Sequence, residues 1–372
     1  MKLETLQENF TKALLITSRF VSARAQLPVL ANILLSAKKT KLTISSTNLE
    51  ISASIGIGAK IKEEGELTIP ARVISEIVSN LSPGSLSLES SEEILKLSSS
   101  NFSSKISGMN SNDFPKVPQS LNKAESLVLP KKELLEAFSQ VSFAVSTDEA
   151  RPILTGVLFL FTKEGLKIVA TDGFRLSQKK IGLKNTSKVS KFVLPKNIIL
   201  ELSRIENEGE EFLLEVKEKE NQALFAFDEL VLSSRVLDGE YPDFEKIIPK
   251  SASIKVRVDK EEFLRIVKLS SVFARDSANI VKVKVLKNSL KLSAESSQAG
   301  NQEGTIDAKV EGTISPGGFD ISFNYKFLED FLRVVSGEEI LMEFNDASSP
   351  GVFTDPKDPN FLHLIMPVKI QG

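Results

Sequence analysis

Apolar residues recur at helical spacing near the start of each third of the chain. Residues three, four and seven positions apart lie on one face of an α-helix, so this pattern predicts an amphipathic helix. The apolar positions are Leu3, Leu6, Phe10, Ala13, Leu14 and Val21 in the first helix, Leu134, Leu135, Phe138 and Val141 in the second, and Phe263, Ile266, Val267 and Phe273 in the third. Asp259, a residue type favoured at helix N-termini, precedes the third.

Strand-like segments and a second short helix follow each of these helices. Segments 31–36, 156–161 and 280–286 are rich in aliphatic and β-branched residues, and the last alternates valine with lysine. Proline leads into the helical segments 71–81 and 196–205, where its missing N–H costs little, and 325–335 is the third equivalent. Two helices and several antiparallel strands per unit predict an α+β layer architecture.

The whole unit occurs three times. The sequence Gly-Glu-Glu-Phe-Leu-Leu-Glu-Val at 209–216 returns as Gly-Glu-Glu-Ile-Leu-Met-Glu-Phe at 337–344, with a degenerate copy at 84–89. Alternating segments begin at positions 42, 166 and 290, one third of the 372 residues apart. This period exceeds the roughly 20–50 residues of solenoid repeats and matches a small domain. With proline-containing linkers at the joints, we place the domains at 1–125, 126–250 and 251–372.

Composition excludes several kinds of chemistry. The chain has no cysteine, no tryptophan and a single histidine, His363. Disulfides, thiolate-bound zinc, iron–sulfur clusters and cysteine nucleophiles are therefore impossible, and neither a metal nor another cofactor is expected. The N-terminus lacks the apolar core of a signal peptide, and no apolar run is long enough to span a bilayer. The sequence thus predicts a cytoplasmic protein with no membrane partner.

Charge is balanced overall but unevenly distributed along the sequence. The net charge of −2 argues against a generic basic nucleic-acid binder unless the positive residues share one surface. Acidic clusters at 63–64, 92–93, 206–220 and 338–339 fall in predicted turns and strands. The helices carry Lys12, Arg19, Arg72, Lys131, Lys132, Lys196, Arg204, Lys260, Arg265, Lys268, Lys326 and Arg333. Solvated helix faces explain most such patterns, but a ring with a positive hole and a negative rim would need the same segregation.

Motifs for catalysis are weak. The glycines at 56–58 and 317–318 lack the rest of a dinucleotide-binding loop, and no Walker sequence occurs. Asp172 stands before a glycine after a predicted strand, and His363 precedes an apolar run, so a turn residue and a strand residue are the simpler interpretations. A hydrolase that uses Asp172 and His363 remains one alternative. A repeat protein that binds peptides but not DNA remains another.

Three segments carry a family resemblance. They are Ala-Thr-Asp-Gly-Phe-Arg-Leu at 170–176, Asp-Gly-Glu-Tyr-Pro-Asp-Phe at 238–244 and Leu-Ile-Met-Pro-Val-Lys-Ile at 364–370. Together with the threefold repeat they resemble the bacterial DNA polymerase III β subunit family, the sliding clamps, over essentially the whole chain. The resemblance implies three DNA-clamp domains per chain, each with two helices packed on antiparallel sheets. It also implies a head-to-tail homodimer that closes into a six-domain ring with helices lining the hole.

The resemblance further implies a function without catalysis, as a processivity factor of the replicative DNA polymerase holoenzyme. The ring would encircle double-stranded DNA without sequence specificity. Short peptides such as Gln-Leu-x-Leu-Phe would bind it. Its implied partners are the DNA polymerase III α subunit, the clamp loader, translesion polymerases, mismatch-repair proteins and DNA ligase.

Three sets of site residues follow from the resemblance. The peptide pocket, between the second and third domains, would comprise Leu154, Thr171, Gly173, Phe174, Arg175, Leu176, Pro242, Lys246, Ile247, Asn324, Phe327, Met366, Pro367, Val368 and Lys369. The implied DNA contacts are Arg24, Arg72, Arg151 and Lys196, and the implied dimer interface brings Ile106 of one copy to Val272 and Phe273 of the other. Aliphatic walls would suit the leucine and phenylalanine of the ligand, although Leu154, Leu176 and Met366 fit an ordinary core equally well.

Several positions depart from the family pattern. Phe174 stands where many relatives have histidine, Phe327 where tyrosine is common, and Lys369 where arginine is common. Lysine cannot make the planar bidentate contact of arginine, so partner preference is expected to differ. Gln371 and Gly372 extend past the usual terminus, beside the pocket.

Overall fold

A computed structural model describes residues 1–22, 27–183, 190–205 and 209–369. Within these ranges each third of the chain contains two α-helices: α1 (Gln7–Thr17), α2 (Ala71–Ser79), α3 (Lys131–Val141), α4 (Lys196–Ser203), α5 (Lys260–Ala274) and α6 (Tyr325–Val334). Pro70 and Pro195 occupy the N-cap positions of α2 and α4. The Asp259 carboxylate caps α5 by accepting a hydrogen bond from the Glu262 N–H at 2.8 Å. These helix starts confirm the predictions from proline and aspartate.

Antiparallel strands make up most of the remaining described structure. The first third contains β1 (Lys2–Leu6), β2 (Asn32–Lys38), β3 (Lys41–Thr47), β4 (Ile51–Gly58), β5 (Lys60–Glu63), β6 (Gly65–Pro70), β7 (Ser85–Ser91), β8 (Ile94–Ser98) and β9 (Ser103–Ser107). The second contains β10 (Leu127–Pro130), β11 (Gly156–Thr162), β12 (Gly165–Thr171), β13 (Arg175–Ile181), β14 (Lys191–Pro195), β15 (Glu211–Lys217), β16 (Gln222–Phe227) and β17 (Leu230–Arg235). The third contains β18 (Ile254–Asp259), β19 (Ile280–Val285), β20 (Ser289–Ser296), β21 (Gly300–Asp307), β22 (Lys309–Gly312), β23 (Phe319–Asn324), β24 (Glu339–Phe344), β25 (Gly351–Asp355) and β26 (Asp358–Ile365).

The first helix begins later than the sequence pattern predicts. Residues 2–6 form β1, which pairs with both β5 and β7. Leu3 is fully buried, whereas Leu6 is half exposed, so these two leucines do not share one apolar helix face. The prediction of a helix through Leu3 and Leu6 is therefore wrong, because the partner strands that hold β1 lie far along the chain.

The chain divides into two compact units. The first contains Met1–Lys131 with the segment that ends at Val236, and the second contains Lys132–Ile205 with the segment from Leu237 onward. The sheets of the first unit have the strand orders β5-β1-β7-β8-β9 and β10-β15-β16-β17-β4-β3-β2-β6. Those of the second have the orders β14-β11-β12-β13-β26-β25-β24-β18-β22 and β21-β20-β19-β23. The middle third of the sequence thus supplies strands to both units.

Neighbouring repeats are joined by strand pairing. In the first unit β17 pairs with β4, and the Ser52 and Ser233 hydroxyls across this pair lie 2.6 Å apart. In the second unit β13 pairs with β26, which sets Ser177 opposite His363. The strand of the first repeat that corresponds to β17 and β26 is β9, and the strand of the third repeat that corresponds to β4 and β13 is β21. Both lie at the edge of a sheet. In the described ranges they have a strand partner on one side only.

The helices pack one face onto the sheets of their own unit. In the first unit α1 and α2 contribute Phe10, Leu14, Ile74 and Val78 to a core with residues of β2, β3 and β6. In the second unit α5 and α6 contribute Phe263, Val267, Leu328 and Phe331 to another. Each such buried side chain contributes roughly 1.5–3 kcal/mol to folding. Among the described residues, no helix combines the length and the apolar character needed to cross a membrane.

Candidate functional site

The 170–176 motif forms a tight loop between β12 and β13. Gly173 has a φ of +91°, a backbone conformation that glycine adopts readily. The Asp172 carboxylate accepts hydrogen bonds from the Phe174 N–H at 2.9 Å and the Arg175 N–H at 3.0 Å. The Thr171 hydroxyl donates to the Arg175 carbonyl at 2.6 Å. The interpretation of Asp172 as a turn residue is therefore confirmed.

The Arg175 side chain is held from several directions. Its Nε donates to Asp172 Oδ2 at 3.0 Å, its Nη1 to Asp330 Oδ2 at 2.5 Å and its Nη2 to the Phe143 carbonyl at 2.7 Å. The guanidinium carbon also lies 4.5 Å from the centre of the Phe327 ring and 5.4 Å from that of Phe143. Only 10% of the Arg175 side chain is exposed. Asp330 and Phe143 therefore belong to the site, although no motif in the sequence marks them.

A buried apolar cluster lies next to this loop. Leu154 and Leu176, both predicted pocket residues, pack together in it, and Met366 packs against it while partly exposed. Other members are Leu158, Val169, Val193, Tyr241, Phe244 and Leu364. Leu176 has no exposed surface, so in this structure it is a core residue. Among the predicted pocket residues, the large apolar side chains that are most exposed are Phe174 (62%) and Ile247 (44%).

The C-terminal segment runs between the loop and β23. The Met366 N–H donates to the Phe174 carbonyl, and the Val368 N–H donates to the Ser322 carbonyl, both at 2.8 Å. Pro367 between them is half-buried. Residues 366–368 are therefore fixed by backbone hydrogen bonds to two separate elements of the second unit.

The remaining predicted pocket residues lie at helix ends or in exposed segments. The Asn324 side-chain oxygen accepts from the Lys326 N–H at 3.0 Å and so caps α6. Lys246 is exposed and 2.9 Å from the Asp243 carboxylate, which raises the pKa of its ammonium group. Pro242 and Lys369 are exposed. Residues 370–372, which include the predicted extension Gln371 and Gly372, lie outside the described residues.

The predicted DNA contacts occupy different surroundings. Arg72 on α2 is exposed and its Nε lies 2.8 Å from Glu76 Oε1. Lys196 is the first residue of α4 and is partly buried. Arg151 lies against the loop of the candidate pocket, where its Nη2 donates to the Asp172 carbonyl at 3.4 Å. Arg24 lies outside the described residues.

The helices are not uniformly basic. Acidic residues one turn away on the same helix pair with Arg72, Arg265 and Arg333, the last two at 3.6 Å and 3.2 Å. On α2, α5 and α6 the positive charges therefore share the helix surface with carboxylates, and the segregation of positive charge onto one surface stays a prediction. Within the described ranges, the helix lysines that form no ion pair are Lys12, Lys132, Lys196, Lys268 and Lys326.

The predicted interface residues differ in accessibility. Val272 on α5 is 55% exposed, and Phe273 is partly buried against the core of the second unit. Ile106 on β9 is only 5% exposed, because it packs into the core of the first unit. Contact of the Ile106 side chain with a partner stays a prediction, and the backbone edge of β9 is the part of this strand that a partner would reach first.

His363 has no access to solvent. Its Nδ1 lies 2.7 Å from the Ser177 hydroxyl, and its ring stacks on Phe331 with the centroids 5.5 Å apart. Burial, with a smaller contribution from the Arg175 charge, lowers the pKa of His363 to about 3. Because Asp172 is already bonded to Arg175, the two residues do not form the acid–base pair of a hydrolase. In the part of the chain that the structure describes, no histidine and acidic side chains cluster as a metal site.

Comparison with known proteins gives consistent matches along the whole chain. Residues 1–118, 128–243 and 245–369 match the families described as the N-terminal, central and C-terminal domains of the DNA polymerase III beta subunit. The chain is 30% identical over 380 residues to the beta sliding clamp of Staphylococcus aureus, with 99% of both proteins covered.

Solved structures give the same result. A DNA polymerase sliding clamp from Bacillus subtilis matches with a TM-score of 0.93 at 28% identity. The DNA polymerase III beta subunit from Thermotoga maritima matches with a TM-score of 0.90 at 25% identity. Both matches cover 100% of each chain.

Proposed function

The chain belongs to the DNA polymerase III β subunit family, the sliding clamps, and we propose that it encircles double-stranded DNA as a head-to-tail homodimer. The family is a non-catalytic processivity factor that partners DNA and DNA polymerase. For this chain we propose clamp domains at 1–125, 126–250 and 251–372, and a cytoplasmic location. Two copies would then supply the six domains of a ring.

The observation that carries this proposal is the repeated strand junction. The last strand of the second repeat, β17, pairs with the fourth strand of the first, β4. The last strand of the third repeat, β26, pairs in the same way with the fourth strand of the second, β13. The last strand of the first repeat, β9, and the fourth strand of the third repeat, β21, lie at sheet edges among the described residues. Pairing β9 of one copy with β21 of another would repeat the same junction.

Charges on the two edge strands support that pairing. Strand β9 carries Lys105, whereas β21 carries Glu303 and Asp307. Opposite charges across an antiparallel strand pair stabilise the pair. If β9 of each copy pairs with β21 of the other, the dimer closes and neither of these two edges stays open. The exposed Val272 on α5 supplies apolar surface for the same interface.

Contact with DNA would be weak and independent of sequence. Basic side chains on the helices, among them the exposed Arg72 and the partly buried Lys196, would approach phosphates, but neighbouring carboxylates such as Glu76 limit the attraction. Phosphate contacts of this kind weaken steeply as salt rises. The proposed ring would therefore be retained on DNA by its topology rather than by affinity.

The proposed peptide site is the surface around Phe174, Ile247 and Met366. Exposed or partly exposed apolar side chains there would receive the leucine and phenylalanine of a Gln-Leu-x-Leu-Phe peptide, with a few polar groups to fix its backbone. We propose that the polymerase α subunit, the clamp loader, translesion polymerases, mismatch-repair proteins and DNA ligase bind here through such peptides.

The test of encirclement is retention that depends on closed DNA. The protein is loaded onto a nicked circle with a clamp loader and ATP, the circle is cut, and the protein is followed by gel filtration. Release upon linearisation is the expected result. Equal retention on linear and circular DNA at moderate salt would mean ordinary surface binding. No retention on either would favour a peptide-binding protein that does not act on DNA.

A charge-reversal variant separates direct DNA contact from assembly. Replacing Arg72 and Lys196 together by glutamate should impair loading while leaving the dimer mass and peptide affinity unchanged. Lys357→Glu, on the turn between β25 and β26, reverses an exposed lysine away from the helices as the matched control. Equal loading of the double variant and the control would remove these two residues from the DNA surface.

A further inference from the structure

We propose that Asp330 on α6 is a positioning residue for the peptide site and acts through Arg175. This inference rests on the proposed peptide site. Asp330 lies in the third repeat and Arg175 in the second, 155 residues apart in sequence. Their ion pair at 2.5 Å therefore connects α6 to the loop between β12 and β13 within the second unit.

Arg175 uses three of its five N–H donors within the protein, and only 10% of its side chain is exposed. Two carboxylates and one backbone carbonyl occupy its Nε, Nη1 and Nη2, and aromatic rings lie near the guanidinium. A guanidinium forms rigid, directional hydrogen bonds and fixes whatever it bridges. Arg175 thus holds Asp172, on the loop, at a set position relative to Asp330, on the helix.

The same ion pair sets the positions of three predicted peptide contacts. Phe327 lies one turn before Asp330 on α6, and the Arg175 guanidinium packs on its ring at 4.5 Å. Phe174 precedes Arg175 in the loop, and its carbonyl accepts the hydrogen bond from the Met366 N–H at 2.8 Å. Loss of the Asp330 carboxylate should loosen the loop against α6 and so disturb Phe327, Phe174 and Met366 together.

Folding should survive the loss of Asp330. Its side chain is 30% exposed, and the Arg175 charge would keep Asp172 as a partner. Asp330→Asn preserves the shape of the side chain and removes its charge. We therefore expect the variant to keep the melting temperature and dimer mass of the wild type while binding a Gln-Leu-x-Leu-Phe peptide about tenfold more weakly.

The matched control is Glu329→Gln, on the same helix. The Glu329 carboxylate pairs with Arg333 one turn away, at 3.2 Å. Glu329→Gln therefore removes a carboxylate whose partner lies on α6 and not on the loop. Asp330→Glu, which restores the charge at the same position, should recover most of the affinity. Arg175→Lys, which keeps the charge but loses the planar fork, should weaken binding as Asp330→Asn does.

Peptide affinity is measured by calorimetry on the full-length dimer, with hydrogen exchange of the Phe174 and Arg175 amides as a second readout. Weaker binding and faster exchange in Asp330→Asn alone, with recovery in Asp330→Glu, would support the positioning role. Unchanged binding and exchange in Asp330→Asn, or equal losses in Glu329→Gln, would overturn it. A large fall in the melting temperature of Asp330→Asn would also overturn the positioning role. Asp330 would then be a general stability residue, and the weaker binding would only reflect the loss of stability.

Failure of the proposed peptide site would look different. The wild type itself would then show no binding to the peptide at millimolar concentration. In that case faster amide exchange at Phe174 and Arg175 in Asp330→Asn, but not in Glu329→Gln, would still support the hold of Asp330 on the loop.

Discussion

Protonation of the single histidine should destabilise the protein below neutral pH. His363 is fully buried between Ser177 and Phe331, and burial lowers its pKa to about 3. In the unfolded chain its pKa should return to about 6.5. Between these two values the unfolded chain binds a proton that the folded chain does not accept.

The sign and size of the effect follow from proton linkage. The contribution of His363 to stability is fully present above pH 6.5 and is lost as the pH falls, since the unfolded state binds the additional proton. The loss is about 1.4 kcal/mol for each pH unit below 6.5. Lowering the pH from 7.5 to 5.0 should therefore lower the free energy of unfolding by about 2 kcal/mol. No second histidine contributes in this window, because the chain has only one.

Histidine-selective isotope labelling gives one imidazole signal, which reports this titration directly by NMR. The signal should stay constant from pH 8 to pH 5 in the folded protein and titrate near pH 6.5 in urea. Urea unfolding at pH 7.5 and 5.0 then measures the free-energy change. The double variant Ser177→Ala with His363→Phe, which replaces both hydrogen-bonding partners by apolar groups, should lose most of this pH dependence. An imidazole that titrates near pH 6.5 in the folded protein would refute the reasoning.

Three further substitutions test the interface, the core and the pocket. Val272→Asp places a charge on an exposed apolar position of the proposed interface and should give a folded monomer by sedimentation at low micromolar concentration. The control Leu15→Asp, at a similarly exposed position on α1, should leave the dimer intact. A Val272→Asp variant that remains a dimer would mean that the interface lies elsewhere. Leu176→Ala empties a fully buried position and should lower the free energy of unfolding by about 2–5 kcal/mol, seen as a lower melting temperature. Met366→Ala, at a partly exposed position, should instead weaken Gln-Leu-x-Leu-Phe binding by about 1–3 kcal/mol in calorimetry, and unchanged affinity would remove it from the pocket.

The starts of α2, α4 and α5 could be predicted from sequence because local chemistry determines them. Pro70 and Pro195 stand directly before α2 and α4, and Asp259 caps α5 with its own side chain. Each of these signals acts within one helical turn of the residue that carries it. Local sequence signals of this kind therefore predicted the number of helices and their order.

Features that depend on distant partners were hidden. Strand β1 is held by β5 and β7, so the spacing of Leu3 and Leu6 alone suggested a helix. Asp330 resembles any charged residue on a helix surface until folding brings it to Arg175, 155 residues away.

The site itself was predictable only where a motif carried it. The 170–176 loop was found by its sequence, and its tight geometry explains why threonine, aspartate and glycine stand there. Whether a leucine of the motif is exposed or buried depends on packing from other elements. Leu176 thus proved to be a core residue, while Phe174 next to it is exposed.

The pairing of β17 with β4 has a consequence for synthesis on the ribosome. Ser52 and Ser233, which meet across this pair, are 181 residues apart, so β4 emerges long before its partner exists. At roughly 5–20 residues per second the nascent chain waits about 10–35 s with this edge open, and open strand edges invite aggregation. We expect ribosome-stalled chains that end before residue 230 to expose β4 to proteases, and chains long enough to release all of β17 from the ribosome to protect it.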